Sequence, residues 1–567
     1  MAKLLKYLEF VYGKEAKLLE RQLDKLLHGT VQSQCKATTD YWYKSVELYC
    51  VYPDGVIYDP SLSPLQNLTQ HLKRIKNLGC NAVHILPFLA SPGVDKGFDI
   101  SDYYTIREDL GSLEDLKQLV QEAHRLDMRL FMDFVFNHVS DQHFWFQKAQ
   151  QGDEHYRNYF IHTLQKPQFI RKFYQNSAIW AEYIVEGQPK IVNIAFPEHA
   201  GAIPHWRQGQ DGYWYYHTYY PTQLDLNWLN PNVFLEVAKI LVYWVKLGFN
   251  FRLDAIPFIG KEAYKLTDTS NKIAHAITAA LKCITDKIDP HSVFIIESYE
   301  QLDKVIEYFG SSEIVQANLS YNFHLCTGIW VSLIKADAHY IWQKLDKLVA
   351  VPDHAEWLNF MRNHDELSLA YLSDDLLLTM REVVGKFGKD FREGCGISGR
   401  TFSLLGGNRP KFLMAYFLLA SLPGGIVIPY GDEIACPNIE LADLPEQDKA
   451  DSRNINRGKL LSNHYESPAS KSIFQELAMI IRQRKVLRYY LNIWPKRLES
   501  SPVVFAACYK NSHEELVIYI NLSEQPQDIG CDLLNAKQFA RVNEVTLNQT
   551  GINLGPYAGV WLKRRFV

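Results

Sequence analysis

Gly248-Phe249-Asn250-Phe251-Arg252-Leu253-Asp254 is a short apolar run that stops at an acid. Val293-Phe294-Ile295-Ile296-Glu297 and Phe360-Met361-Arg362-Asn363-His364-Asp365 end the same way. Each reads as a buried β-strand with a carboxylate at its C-terminal end. Parallel strands covered on both faces are near-continuous apolar runs, so acids do not belong inside them. Acids at the C-terminal ends of several such strands fit the active face of a β/α barrel.

Outward from these runs the chain repeats strand, loop and helix. Ser45–Val51 reads as a strand, Leu65–Leu78 as an amphipathic helix closed by Gly79, and Ala82–Pro87 as a strand. A helix over Leu113–Leu126 with Ser112 as N-cap and a strand over Arg129–Phe134 continue the pattern. Eight such units close a (β/α)8 TIM barrel, with strands expected near 46–51, 82–87, 129–134, 249–254, 293–297, 314–318, 358–363 and 425–430.

The spacing after the third strand is anomalous. No helix begins until about Asn232, and the intervening stretch is rich in Trp, Tyr, His and Gln without βα rhythm. So long an insertion is a subdomain or a functional lid. After about Arg488 short strands separated by polar turns (503–509, 515–521, 542–547, 560–563) predict a C-terminal antiparallel β domain. Leu19, Leu23, Leu26 and Leu27 recur at helical spacing ahead of Gly29, which predicts an N-terminal helical extension. The expected domains are 1–42 (helical extension), 43–137 with 232–487 (barrel), 138–231 (inserted domain B) and 488–567 (a C-terminal β-sandwich).

Composition removes several classes of function. The 567 residues are 47% apolar and 22% charged, a folded globular balance. A net charge of −4 leaves no basic footprint, so neither nucleic acid nor an anionic membrane is an expected partner. No apolar stretch approaches a membrane span, and the N-terminus, broken by Lys6 and Glu9, does not read as a signal peptide. Nine scattered cysteines with no CxxC read as reduced thiols, and the expected location is cytoplasmic.

Five motifs in order resemble glycoside hydrolase family 13, the α-amylase family, over about residues 43–460. They are Asp133-Phe-Val-Phe-Asn137-His138, Gln223-Leu-Asp225-Leu-Asn227, Gly248 to Asp254, Ile295-Ile-Glu297 and Phe360 to Asp365. The resemblance implies a retaining α-glucoside enzyme on short α-glucosides or oligosaccharides. Asp254 is then the nucleophile, Glu297 the general acid and then base, and Asp365 the third acid, gripping sugar hydroxyls. It places His138 and His364 on the same sugar. Arg252, two residues before Asp254, points to the same side, where a guanidinium lowers a carboxylate's pKa. For a single acid a structural ion pair or a helix cap is the alternative.

Asp95-Lys-Gly97-Phe98-Asp99-Ile-Ser-Asp102-Tyr is similar to a segment of the exo-acting members. There the first Asp pairs with a distant Arg against the terminal glucose. The matching residues here are Asp95 and Arg453, with Phe98 able to stack on the sugar. Several stretches look like the maltose–trehalose interconverting members, whereas Asp451-Ser-Arg453-Asn-Ile-Asn-Arg457 looks like the sucrose-acting ones.

Hydrolysis is therefore the first expectation. Maltose–trehalose isomerisation, or sucrose-type transfer and phosphorolysis, is the alternative, and a non-catalytic sugar-binding scaffold a minor one. No cofactor is required. Calcium stays open at Asn137, where other members hold it, whereas Pro53-Asp54-Gly55-Val56 lacks the paired acids of a second family site.

Overall fold

The computed structural model describes residues 2–28, 41–175, 178–197, 200–201, 203–261, 272–348, 350–490, 493–531, 533, 536–548 and 550–565. Eight parallel strands close the expected barrel: β1 (Glu47–Val51), β2 (Ala82–Ile85), β3 (Arg129–Phe134), β4 (Phe249–Leu253), β5 (Phe294–Ile296), β6 (Leu319–Tyr321), β7 (Glu356–Asn359) and β8 (Gly425–Pro429). The β1–β8 register, Glu47 opposite Ile426, completes the ring. All five residues of β1, β4 and β8 are buried, as strands covered on both faces must be.

Two strands depart from the sequence reading. The sixth was expected at 314–318 but forms at Leu319–Tyr321. Val315 makes only an isolated bridge to Gly310, and the real strand is short and carries the buried Ser320, which blunts its apolar signal. The seventh ends at Asn359, so Asp365 lies beyond it in a loop. Asn363 shapes that loop, its Oδ1 accepting from the backbone N–H of Asp365 at 2.9 Å and of Glu366 at 2.7 Å.

The helices follow their local signals. Ser63 and Gln66 form a reciprocal capping box at the start of Pro64–Leu78, and Gly79 ends that helix at φ +117°. Ser112 caps Leu113–Arg125 in the same way with Asp115. At the N-terminus α1 (Ala2–Tyr12) and α2 (Ala16–Leu27) are separated by a 3-10 turn over Gly13–Glu15. Gly29 lies outside the described residues. The leucine stripe Leu19, Leu23, Leu27 is buried, with α2 on α3 (Pro231–Lys246) and α1 on α4 (Lys272–Ile288).

The insertion carries two small antiparallel sheets. One is Gln168–Gln175, Ala178–Val185 and Gln188–Asn193; the other is His162–Thr163, Trp206–Gln208 and Trp214–Tyr216. A separate apolar cluster, including Ile179, Tyr183, Val192 and Trp206, holds them. Gln223–Asp225 pairs with His138–Ser140, tying the end of the insertion to its beginning.

At the C-terminus a five-stranded and a three-stranded antiparallel sheet enclose a second core around Val504, Ile552 and Val560. The strand expected over 542–547 is instead two, Ala536–Val542 and Val545–Asn548, because Asn543 turns the chain at φ +56°. Trp561 Nε1 donates to Ser421 Oγ at 2.7 Å, and Trp342 stacks on Phe505, so the β sheets dock directly on barrel helices.

Candidate active site

β3, β4 and β5 present their C-terminal ends side by side, and Arg252 links them. Its Nη1 donates to Asp133 at 2.9 Å and also meets Asp254; its Nη2 meets Glu297 Oε2 at 2.6 Å. The guanidinium side chain is 1% exposed, so these charges meet in a low-dielectric setting. Asp133 is held in turn by His84 Nε2 at 3.1 Å, from the end of β2. Ala255, directly after Asp254, stands at φ +53°, a left-handed conformation uncommon for a residue with a Cβ. Such strain concentrates at functional sites.

Burial raises the Glu297 carboxyl to about 7; Arg252 opposes this, and the negative charges of Asp254, Asp365 and Asp133 add to it. Asp254 departs from expectation. Burial moves it upward, and Arg252 and His138 reduce the rise without reversing it. The charge of Asp133 adds to the effect of burial. Asp365 goes the other way. Burial works to raise it, yet His364, Arg457 and Arg453 hold it well below the usual carboxylate range. His364 is itself pushed by burial down to about 3 and is neutral, so the two guanidinium groups carry the effect.

The structure brings Asp95 and Arg453 together at 2.9 Å. Arg453 also meets Tyr220 Oη at 2.8 Å, Asp451 at 2.7 Å and Asp365 at 3.4 Å. Gln223 Nε2 donates to the second oxygen of Asp95 at 3.2 Å. Phe98 stacks on His364 with ring centroids 5.3 Å apart, and His138 Nε2 lies 3.1 Å from the Phe98 carbonyl. Asp254, Glu297, Asp365, Asp95, Phe98, His138, Arg252, His364 and Arg453 therefore line one cavity, of about 1250 Å³. Asn137 lies beside it, its Nδ2 3.3 Å from His138 Nδ1.

Several lining residues escaped the sequence reading. Phe196 and Phe391 pack against each other at 5.5 Å, and each lies 5.0 Å from the Arg453 guanidinium. Away from the cavity lining, Lys172 pairs with Glu393 at 2.5 Å, a second link between the insertion and the segment after β7. Tyr219 packs on His138 at 5.4 Å. None of these residues belongs to a motif. Asp133 and Arg457 did lie inside quoted motifs, and their pairing with Arg252 and Asp365 is a signal that was present.

A closed barrel with acids around its C-terminal mouth, and a cavity walled by an ion pair, has the layout of the active face of a β/α barrel. Residues 55–381 match the family model of the α-amylase catalytic domain. The chain belongs to the α-amylase family, glycoside hydrolase family 13.

Among its relatives, trehalose synthase of Thermus thermophilus is 30% identical over 69% of this chain and 38% of that protein. The trehalose synthase/amylase of Mycolicibacterium smegmatis is 29% identical over 71% of this chain and 65% of its own length. The chain thus spans less than two thirds of either. A glucosylglycerate phosphorylase of Allomeiothermus silvanus is 25% identical over 99% of this chain and 98% of that protein. In fold, the α-amylase of H. orenii superposes with a TM-score of 0.69 at 19% identity, covering 92% of this chain and 99% of that one. A trehalulose synthase variant does so at 0.68 and 20% identity, with the same coverage.

Proposed function

We propose that this enzyme removes one terminal α-glucosyl unit from a short α-glucoside by a retaining, two-step mechanism. The carrying observation is that one guanidinium, Arg252, contacts both Asp254 and Glu297. That keeps the two carboxyls near neighbours, in keeping with the roughly 5–5.5 Å spacing of retaining pairs rather than about 6.5–9.5 Å. In the first step the Asp254 carboxylate attacks the anomeric carbon. The glycosidic C–O bond breaks, and its oxygen leaves with the proton of Glu297. In the second step an acceptor hydroxyl gives its proton to Glu297 and its oxygen to the anomeric carbon, freeing Asp254. Asp365, ionised, receives sugar hydroxyls with His138 and His364, and Phe98 offers an apolar face. Asp95 and Arg453 bind the terminal sugar and close the pocket behind it.

Water is the first acceptor in this reading. Inorganic phosphate is the second, and a specific observation favours it: a relative matched along almost its whole length is a phosphorylase. Lys344 and Lys347 on the cavity lining suit an anionic acceptor, whereas Arg392 is already paired with Glu366 at 3.2 Å.

A cytoplasmic location belongs to the same proposal. Every described cysteine is unbridged, and among the described residues no helix is long and apolar enough to cross a membrane.

The test is product analysis with maltose, trehalose, sucrose and glucosylglycerate, each with and without phosphate. Free glucose alone supports hydrolysis; glucose 1-phosphate supports phosphorolysis; interconversion of maltose and trehalose supports isomerisation. Turnover that survives in Asp254→Ala overturns the shared mechanism.

A further inference from the structure

Lys261 follows the short 3-10 turn Ile256–Phe258 that leaves β4, and its side chain is 4% exposed. Its Nζ donates to Asp225 Oδ2 and, at 2.5 Å, to Thr218 Oγ1; Asn137 Oδ1 stands 3.4 Å away. The rings of Tyr216 and Phe258 flank the ammonium with centroids at 5.1 and 5.5 Å. Asp225 also accepts from the Thr218 backbone N–H at 2.9 Å and from its hydroxyl at 2.6 Å. Three parts of the chain converge here: the segment leaving β3 (Asn137), the end of the insertion (Thr218, Asp225) and the loop after β4 (Lys261).

Asn137 is the position the family resemblance marks for calcium. Calcium takes about six to eight oxygen ligands, with several carboxylates among them. Here one carboxylate, one amide oxygen and one hydroxyl converge, and a cation from the chain already meets all three. Among the described residues no cluster of three or more His, Cys, Asp or Glu can hold a metal ion. The residues present do not fit calcium.

We propose that the Lys261 ammonium is this enzyme's own, covalently held cation, standing where relatives hold calcium and pinning the insertion to the barrel without a metal. A buried carboxylate stripped of its partner is strongly destabilising, so Asp225 needs such a charge. The pin reaches the cavity: Asn137 precedes His138, which contacts Phe98. The inference is independent of the catalytic assignment.

The experiment uses the full chain dialysed against EDTA, with thermal unfolding and calorimetric titration by calcium chloride. For the wild type we expect no change in Tm with chelator and no heat of calcium binding. Lys261→Met should lower Tm by several degrees, with no recovery in calcium. Lys261→Glu vacates the centre and adds a second carboxylate, so its Tm should be low in EDTA and recover in millimolar calcium. A wild type that loses stability to EDTA and regains it with calcium overturns the proposal, whether or not either variant folds. A Lys261→Met protein with wild-type Tm overturns it as well.

Discussion

Arg252 Nη2 meets Glu297 Oε2 at 2.6 Å while Nη1 of the same group meets Asp254, so one charge is divided between the two carboxyls of the site. Lysine has a single ammonium point and cannot reproduce this fork. Arg252→Lys should therefore lower kcat by roughly 10²–10³-fold, the range for loss of one preorganised electrostatic contact. Steady-state kinetics beside a thermal melt checks this, since the melt separates lost chemistry from lost folding.

The Glu297 carboxyl, raised to about 7, should set the alkaline side of the pH profile if it acts as proposed. In the proposed mechanism protonated Glu297 is the working acid, so turnover of an ordinary α-glucoside should fall as pH rises through about 7. Glu297→Gln should remove that limb and cost about 10²–10⁴-fold. An α-glucosyl fluoride, whose leaving group needs no proton, should lose less. An identical loss on both donors would count against the acid role.

Asp95→Asn keeps the shape of the end wall but removes a charge facing Arg453. A hydrogen bond to a charged group contributes about 1.5–3 kcal/mol, so kcat/KM should fall about ten- to a hundredfold. The fall should appear for every donor, because each offers the same terminal sugar. A donor series measured at fixed pH reads this directly.

Glu356, at the start of β7, is raised by burial to about 7 although Trp357 N–H donates to it at 2.8 Å. A carboxyl whose folded pKa lies above its unfolded value gives stability that is full below about 4.5 and lost as pH rises to about 7. Glu356→Gln should therefore raise Tm at pH 8 and change it little at pH 4.5. Melts at the two pH values check the sign.

Six of the eight barrel strands were legible in place because both of their faces are covered, which writes a mostly apolar run; the seventh was read a few residues late, since Glu356 and Asn359 bound it. β6 was not legible in place, since Ser320 interrupts a strand of three residues while Ile314 and Val315 imitate one nearby. The turn at Asn543 was hidden by apolar residues on either side. In the site, Asp254 and Glu297 directly follow their strands and so announce themselves. Phe196, Phe391, Tyr219 and Lys261 carry no local mark, because their positions depend on folding together segments far apart in the chain. The sense of the Asp254 shift was missed for a related reason. Sequence showed Arg252 two residues away but not the burial of Asp254 or the charge of Asp133 beside it.

In the proposed reading, the linked side chains of Asp95, Arg453 and Tyr220 close the cavity behind one terminal sugar. A site of that kind counts chain ends, not bonds. At equal mass of sugar, linear glucans should react more slowly in proportion as they lengthen, since each molecule offers a single usable terminus. Cyclic glucans, however rich in the same linkage, have no terminus at all and should pass through untouched.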